Sequence, residues 1–172
     1  MEKINNVRPG TLSSDSILLG VSSATTDDNT MVYRPSLNRY HINLNNVSCD
    51  KSYDILVSGI MSCYEREHNF ELEIETAQLE HRKIKMKYLY QLAKFLKSLK
   101  QRDVQYLKRT HIYIYDQFTY NLLYTLFTYL SSPIAPVNVV YLIARPKELI
   151  YRPAVLDTSL IKQFKTFYPM TS

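Results

Sequence analysis

The clearest chemical pattern in this sequence is a concentration of positive charge between residues 82 and 109. The segment contains ten Lys and Arg and a single acid, Asp103, whereas the rest of the chain has more acids than bases. Clustered cations bind phosphate backbones or anionic surfaces, although a helix that covers a sheet also needs a solvated outer face. No aromatic ladder for stacking bases accompanies them. The candidate anion-binding residues are Lys83, Lys87, Lys94, Lys97, Lys100, Arg102, Lys108 and Arg109.

A second candidate is the alternation of acidic and apolar residues along 70–76. A period of two predicts a strand with one buried face and one face in water. The carboxylates of the polar face are Glu71, Glu73 and Glu75. They have the right chemistry for a divalent cation, but such sites gather ligands from several elements. We therefore favour a solvated face or pairing with nearby lysines, and we predict no metal site.

The histidines and cysteines do not have the spacing of a metal site or of a nucleophile with its base. They are dispersed through the chain, at His41, His68, His81, His111, Cys49 and Cys63. Cys63 fits a buried structural thiol better than a nucleophile.

Glycine is scarce, with only Gly10, Gly20 and Gly59 in the chain. A loop that cradles a phosphate needs glycines where its backbone approaches the ligand, and neither GxGxxG nor GxxxxGK[ST] occurs. The GxSxG motif of serine hydrolases does not occur either. This argues against a dinucleotide enzyme, a P-loop NTPase and a serine hydrolase of the usual α/β kind. We expect no cofactor.

An enzyme of the α/β class would place its chemistry at the carboxyl ends of the parallel strands. Asp116 and Arg145 each follow a predicted strand, so they are the candidates for lining a pocket there. Asp116 also precedes a helical segment, and a role as the helix N-cap explains it equally well. We therefore name no catalytic residue.

The elements that must position these residues are those of an α/β protein, with a single small mixed or mostly parallel sheet, covering helices and an extended N-terminal arm. From residue 53 the predicted order is β-β-α-β-α-β, and right-handed crossovers make the last three strands parallel. The predicted strands are 53–60, 70–76, 111–115 and 137–144, and the predicted helices are 84–101 and 116–130. Extended chain with a turn at 35–38 precedes them, and a short helix over 158–167, capped by Asp157, follows.

Residues 1–30 are polar and favour an extended arm that a partner orders, leaving 31–172 as a single α/β domain. The element order over 53–144 resembles that of small interaction domains of the STAS type. The resemblance is one of topology alone, without shared signature residues, and it implies no function.

Residues 117–144 carry no charge, but the helical part is too short to span a bilayer and Pro133 interrupts the run. With no signal peptide and only two thiols, we expect a soluble, intracellular protein without a transmembrane segment.

Three functions are compatible with these features of the sequence. The absence of catalytic motifs, the polar arm and the 15 tyrosines favour a non-catalytic interaction or structural protein with protein partners, including its own copies. Asn, Ile, Lys and Tyr are frequent, and their codons are AT-rich, which fits the genome of a large DNA virus among other sources. We therefore extend the prediction of a structural protein to a minor capsid protein or another minor component of a large assembly such as a virus particle. The alternatives are a nucleic-acid or anionic-surface binding protein that uses the basic helix, and a small enzyme.

Overall fold

The computed structural model describes residues 17–18, 29–145 and 158–170. They form one mixed sheet flanked by three helices, which confirms the predicted α/β class. The strands are β1 (Ile17–Leu18), β2 (Thr30–Arg34), β3 (Arg39–Asn43), β4 (Phe70–Glu75), β5 (Leu107–Ile114), β6 (Val137–Leu142) and β7 (Ile161–Phe167). The helices are α1 (Asp50–Glu65), α2 (Met86–Lys100) and α3 (Gln117–Thr125), the last continued by a π-helical turn, Leu126–Leu130.

The strands lie side by side in sequence order. Strands β3 to β6 are parallel and are joined by three consecutive βαβ crossovers, one more than the sequence predicts. Strand β2 pairs with β3 as an antiparallel hairpin, and β7 pairs antiparallel with β6 at the other side. Because right-handed crossovers that all step in one direction keep their helices on one side, the sheet has a helix-covered face and a second, opposite face.

The core lies between the helices and the covered face. Ile112, Ile114 and Val139 of the sheet pack with Leu89 of α2 and Phe127 of the π-helical turn. Tyr40 and Leu72 belong to a second cluster, which contains Leu56 and Ile60 of α1. The helical pattern of 84–101 is confirmed, because Leu89, Ala93 and Leu99 are the buried side of α2.

Two predicted elements are wrong. Residues 53–60 belong to α1 and not to a strand, since Leu56, Ile60 and Cys63 repeat at helical spacing and are buried together. Residues 161–167 form a strand and not a helix, because they pair with β6 from Val137 to Leu142. Asp157, the predicted cap of that helix, lies outside the described residues.

Most of the predicted arm also lies outside the described residues. The parts that are described join the domain: Ile17–Leu18 pair with β2, and Asn29 is buried. The Asn29 side chain donates to the carbonyls of Asn46 and Ser52, both at 2.9 Å. It accepts from the amides of Asn45 at 2.8 Å and Asn46 at 3.0 Å. This residue ties the start of β2 to the β3–α1 connection.

Candidate functional site

The face of the sheet opposite the helices is charged, and strand pairing assembles it row by row. One row runs Arg34, Arg39, Glu71 and Arg109, and the next runs through His41, Glu73, His111, Asn138 and Thr166. We call it the polar sheet face, and define it as Arg34, Arg39, His41, Asn43, Glu71, Glu73, Glu75, Arg109, His111, Asn138 and Thr166. Residues of four consecutive strands meet in its first row.

Glu73 is the centre of this network, and its side chain is only 3% exposed. One of its oxygens lies 3.3 Å from Arg39 Nη1 and 3.9 Å from Arg34 Nη1, and the other lies 3.5 Å from His41 Nδ1. Burial alone would raise the pKa of Glu73. The hydrogen bond and charge of His41 and the two guanidinium groups outweigh burial and hold the pKa below its usual value.

Glu75 is buried as well, and it too is occupied by its own chain. Its oxygens accept from the backbone amide of Ala77 at 3.1 Å and from the Tyr115 hydroxyl at 3.0 Å. The predicted solvent-exposed acidic stripe is therefore wrong for Glu73 and Glu75, and the cations that pair with Glu71 and Glu73 are arginines, not lysines. Among the described residues, no group of three or more His, Cys, Asp or Glu side chains is arranged to hold a metal ion.

Beside Glu73, His111 lies with its Nδ1 3.4 Å from the amide nitrogen of Asn138. Asn138 in turn accepts from Thr166 Oγ1 at 2.9 Å, which links β5, β6 and β7 across this face. Burial, with the charge of Arg39, lowers the pKa of His111. These contacts hold neighbouring strands together.

The candidate basic residues do not form one surface. Lys87, Lys94 and Lys97 are exposed along the outer side of α2, although Lys87 lies 3.4 Å from Asp50. Arg109 is on the polar sheet face, on the other side of the sheet.

The remaining candidates are bound to the domain near the ends of helices. Lys100 donates to Ser132, Lys108 donates to the carbonyl of Gln105 at 3.0 Å, and Lys83 is half-buried before α2. The Arg102 guanidinium lies over the ring of Tyr64, at 5.2 Å from its centroid. Arg102 also lines a cleft of about 530 Å³ at the ends of α1 and α2.

Asp116 and Arg145 are brought together, at 3.7 Å between Oδ2 and Nη2. The Asp116 side chain also accepts from the backbone amide and the hydroxyl of Thr119, so it caps α3 as its position predicts. Arg145 Nη1 donates to the carbonyl of Ala77 at 3.1 Å. Both candidates are thus engaged in structural contacts, and neither lines the cleft beside Arg102 or the internal cavity between sheet and helices.

The two cysteines are both free thiols. Burial raises the pKa of Cys63 to about 12, so this thiol stays protonated and serves as a packing group. Cys49 is exposed at the start of α1, where hydrogen bonding by Ser52 lowers its pKa.

A feature that the sequence did not predict lies around β7, the last strand of the sheet. Several large apolar side chains here are 43% to 69% exposed. We call them the edge group, and define it as Ile143, Leu160, Phe164, Tyr168 and Met170. The amide of Ile143 donates to the carbonyl of Leu160 at 2.9 Å, which joins the group to the end of β6. Reading 158–167 as a helix hid this group, because only the pairing with β6 places Phe164 on the last strand of the sheet.

None of the helices in the described ranges is long and apolar enough to cross a bilayer.

Comparison with known proteins finds no match to a family model, to a curated protein or to a solved structure. The topological resemblance to STAS-type domains stays an analogy, and the function has to be argued from the surfaces of this chain alone.

Proposed function

We propose that this protein is a non-catalytic interaction protein that binds protein partners through the edge of its sheet at β7. The observation that carries the proposal is the concentration of exposed apolar side chains there: Leu160, Phe164, Tyr168 and Met170 fall within the thirteen residues 158–170. Single apolar residues are normal on a surface, whereas several exposed along one short edge segment are typical of a binding site. A minor role in a large assembly, such as a virus particle, is the setting that the composition favours.

The polar sheet face supports the same proposal because its central ionisable groups already have partners within the chain. Its central carboxylate, Glu73, is buried against Arg34, Arg39 and His41 rather than presented to a substrate. Asp116 is occupied as a helix cap. The titratable groups considered as candidates for an active site therefore have structural partners, which leaves binding as the function with an accessible surface.

Site-specific photo-crosslinking tests the proposal. A benzophenone amino acid is placed at Phe164 or, as the control, at Phe118, a phenylalanine of α3 that is also about half exposed. In the cells of origin we expect discrete protein adducts at position 164 and none at position 118. Each adduct partner must then bind the purified chain and lose affinity for Phe164→Glu. The absence of adducts at 164, or the same adducts at both positions, overturns the proposal.

A second function, binding to a nucleic acid or another anionic surface, is favoured by one observation. Lys87, Tyr90, Lys94 and Lys97 recur at intervals of three or four residues and are all exposed, which places them along one side of α2. Affinity for single-stranded nucleic acid that falls steeply with salt, and that is lost in Lys94→Glu combined with Lys97→Glu, would support it. Salt-independent binding, or no binding at low salt, would exclude it.

A further inference from the structure

The outer edge of β7 has no partner strand among the described residues, because β7 ends the sheet. An edge strand presents unpaired backbone donors and acceptors, and proteins usually protect such an edge with lysines. The two lysines of β7 are turned back onto their own domain. Lys162 Nζ lies 4.6 Å from the ring centroid of Tyr141, and Lys165 Nζ lies 4.9 Å from that of Tyr124. Lys165 Nζ also lies 5.4 Å from the ring centroid of Phe167. In these positions neither lysine shields the outer edge of β7, which within the described ranges is available to another strand.

Three of the exposed apolar residues of this segment are evenly spaced about Phe164, while Met170, which is also exposed, has Thr158 at its matching position. Phe164 is the middle residue of the seven in β7, and Leu160 and Tyr168 lie four residues before and after it. An antiparallel pair of identical strands related by a two-fold axis is symmetric in the same way. With the axis at Phe164, the two Phe164 residues lie opposite each other, and Leu160 of one copy lies level with Tyr168 of the other.

We infer that the occupant of the β7 edge is a second copy of this chain, paired antiparallel through β7 with the two-fold axis at Phe164. The inference rests on the proposed function and identifies its partner. Adding a strand at a sheet edge gives backbone hydrogen bonds, and the side-chain pairs supply the register. Such an interface is isologous and closes on itself, so it makes a dimer and not a fibre.

The arrangement of charge favours this register over the one centred on Lys165. With the axis at Phe164, Lys165 lies opposite Gln163 and Lys162 opposite Thr166, so no two lysines face each other. Moving the axis by one residue to Lys165 would place two lysines directly opposite, which is unfavourable. The register at Phe164 also centres the pairing on β7, from Ile161 to Phe167, and places Lys162, where the pairing with β6 is irregular, opposite Thr166.

The symmetry is compatible with the layers of the domain. A two-fold axis perpendicular to the sheet keeps the helices of both copies on the same side, and the two sheets continue into one another. Phe164 pairs with Val140 of β6 within its own chain, so it stands on the face away from the helices. The paired Phe164 rings would therefore lie on that face, clear of both helix layers.

Sedimentation of the full-length purified chain over a wide concentration range is the first test. We expect a monomer–dimer equilibrium in the wild type. Phe164→Glu places two carboxylates opposite each other and should weaken dimerisation about a hundredfold or more. Phe118→Glu, the same change on α3, should leave dimerisation unchanged. A wild type that is monomeric throughout, or a dimer equally weakened by both changes, overturns the inference.

Cysteine cross-linking tests the register independently. In a Cys49→Ser chain, which keeps a side chain suited to the start of α1, Phe164→Cys places a thiol opposite its own symmetry mate. Residues opposite each other in an antiparallel pair have Cα separations that suit a disulfide. Oxidation should therefore link Phe164→Cys into dimers but leave Thr166→Cys, two residues along the same strand, largely unlinked. Linkage of Thr166→Cys in preference would overturn the register.

The two proposals can fail separately. A monomeric chain whose position 164 still cross-links to a different protein would overturn the dimer and leave the interaction function standing. A chain that neither dimerises nor forms adducts at position 164 would overturn both.

Discussion

At the scale of single residues, Asn29 is the most heavily engaged polar side chain near the start of β2. It is buried, and it makes hydrogen bonds to the backbones of Asn45, Asn46 and Ser52. We expect Asn29→Ala to lower the free energy of unfolding by about 2–4 kcal/mol, because it leaves buried backbone groups without partners. Urea unfolding measures this. Asn121→Ala, at an exposed position, is the control, and equal losses in both variants would contradict the argument.

His111 predicts how stability depends on pH. Burial and the charge of Arg39 lower its pKa, so in the window below about pH 6.5 the unfolded chain takes up a proton that the folded chain does not. The stability that neutral His111 provides is present above that value. It is lost as the pH falls toward the lower pKa of the folded state.

Urea unfolding at a series of pH values between about 7 and 5 measures the effect. We expect His111→Asn to flatten this dependence and His81→Asn, at an exposed position, to preserve it. Glu73 acts in a separate window, because its lowered pKa affects stability only at more acidic pH, below its ordinary value. An unchanged slope in His111→Asn would show that its proton is not responsible.

At the scale of elements, Asp116 separates a structural role from a catalytic one. Its side chain accepts from the Thr119 amide at 2.8 Å as the N-cap of α3. Asp116→Ala should therefore reduce the free energy of unfolding by about 1 kcal/mol, whereas Asp116→Asn, which also caps, should be close to wild type. The ion pair with Arg145 is partly exposed and adds little. If Asn proves as costly as Ala, the charge and not the cap is what matters.

The elements also show what a single sequence can predict. Helix α2 and strands β4 and β6 were predicted because their apolar patterns are clear over the whole element, whereas β5 was predicted only from residue 111 although it begins at Leu107. Helix α1 was missed because Ile55, Leu56 and Val57 favour a strand locally, while the decisive repeat, Leu56, Ile60 and Cys63, extends beyond that stretch. Strand β7 was missed because Ile161, Phe164 and Phe167 also fit a helical spacing, and its pairing with β6 is not visible in the sequence.

The sites were predictable to a similar, limited degree. Sequence placed Asp116 correctly as a cap, since a cap is a local interaction. It did not predict the burial of Glu73, because the arginines that cover this carboxylate come from β2 and β3, more than thirty residues earlier in the chain. Only the register of three strands brings these charges together, and no local pattern encodes that register.

At the scale of the whole molecule, the two faces of the sheet have different tasks. The helix-covered face carries the apolar clusters that stabilise the domain. The polar sheet face joins strands through buried ionic contacts, which specify which groups must pair but add little net stability. Breaking one such pair is nevertheless costly, because it leaves a buried charge behind. The division leaves the end of the sheet at β7, with its exposed apolar side chains, as the surface on which the proposed binding would not compete with the core.

The helix-covered side is not completely filled. An apolar cavity of about 130 Å³ lies between sheet and helices, with Leu56, Ile74, Leu92 and Leu122 in its lining. At about 24 cal/mol per Å³, a void of 130 Å³ costs about 3 kcal/mol of stability. A cavity of this size and apolarity excludes water and admits a molecule such as benzene.

Benzene should therefore raise the thermal midpoint of the wild-type chain in proportion to the logarithm of its concentration once the site is saturated. Leu122→Phe adds volume at the lining, so it should abolish the response to benzene. It should also raise the midpoint by itself if the ring enters the void without strain. Thermal unfolding with and without benzene checks both effects. A wild-type midpoint that benzene leaves unchanged would mean that the helices close onto the sheet in solution. In that case the 3 kcal/mol cost does not apply, and Leu122→Phe should destabilise the protein by overpacking.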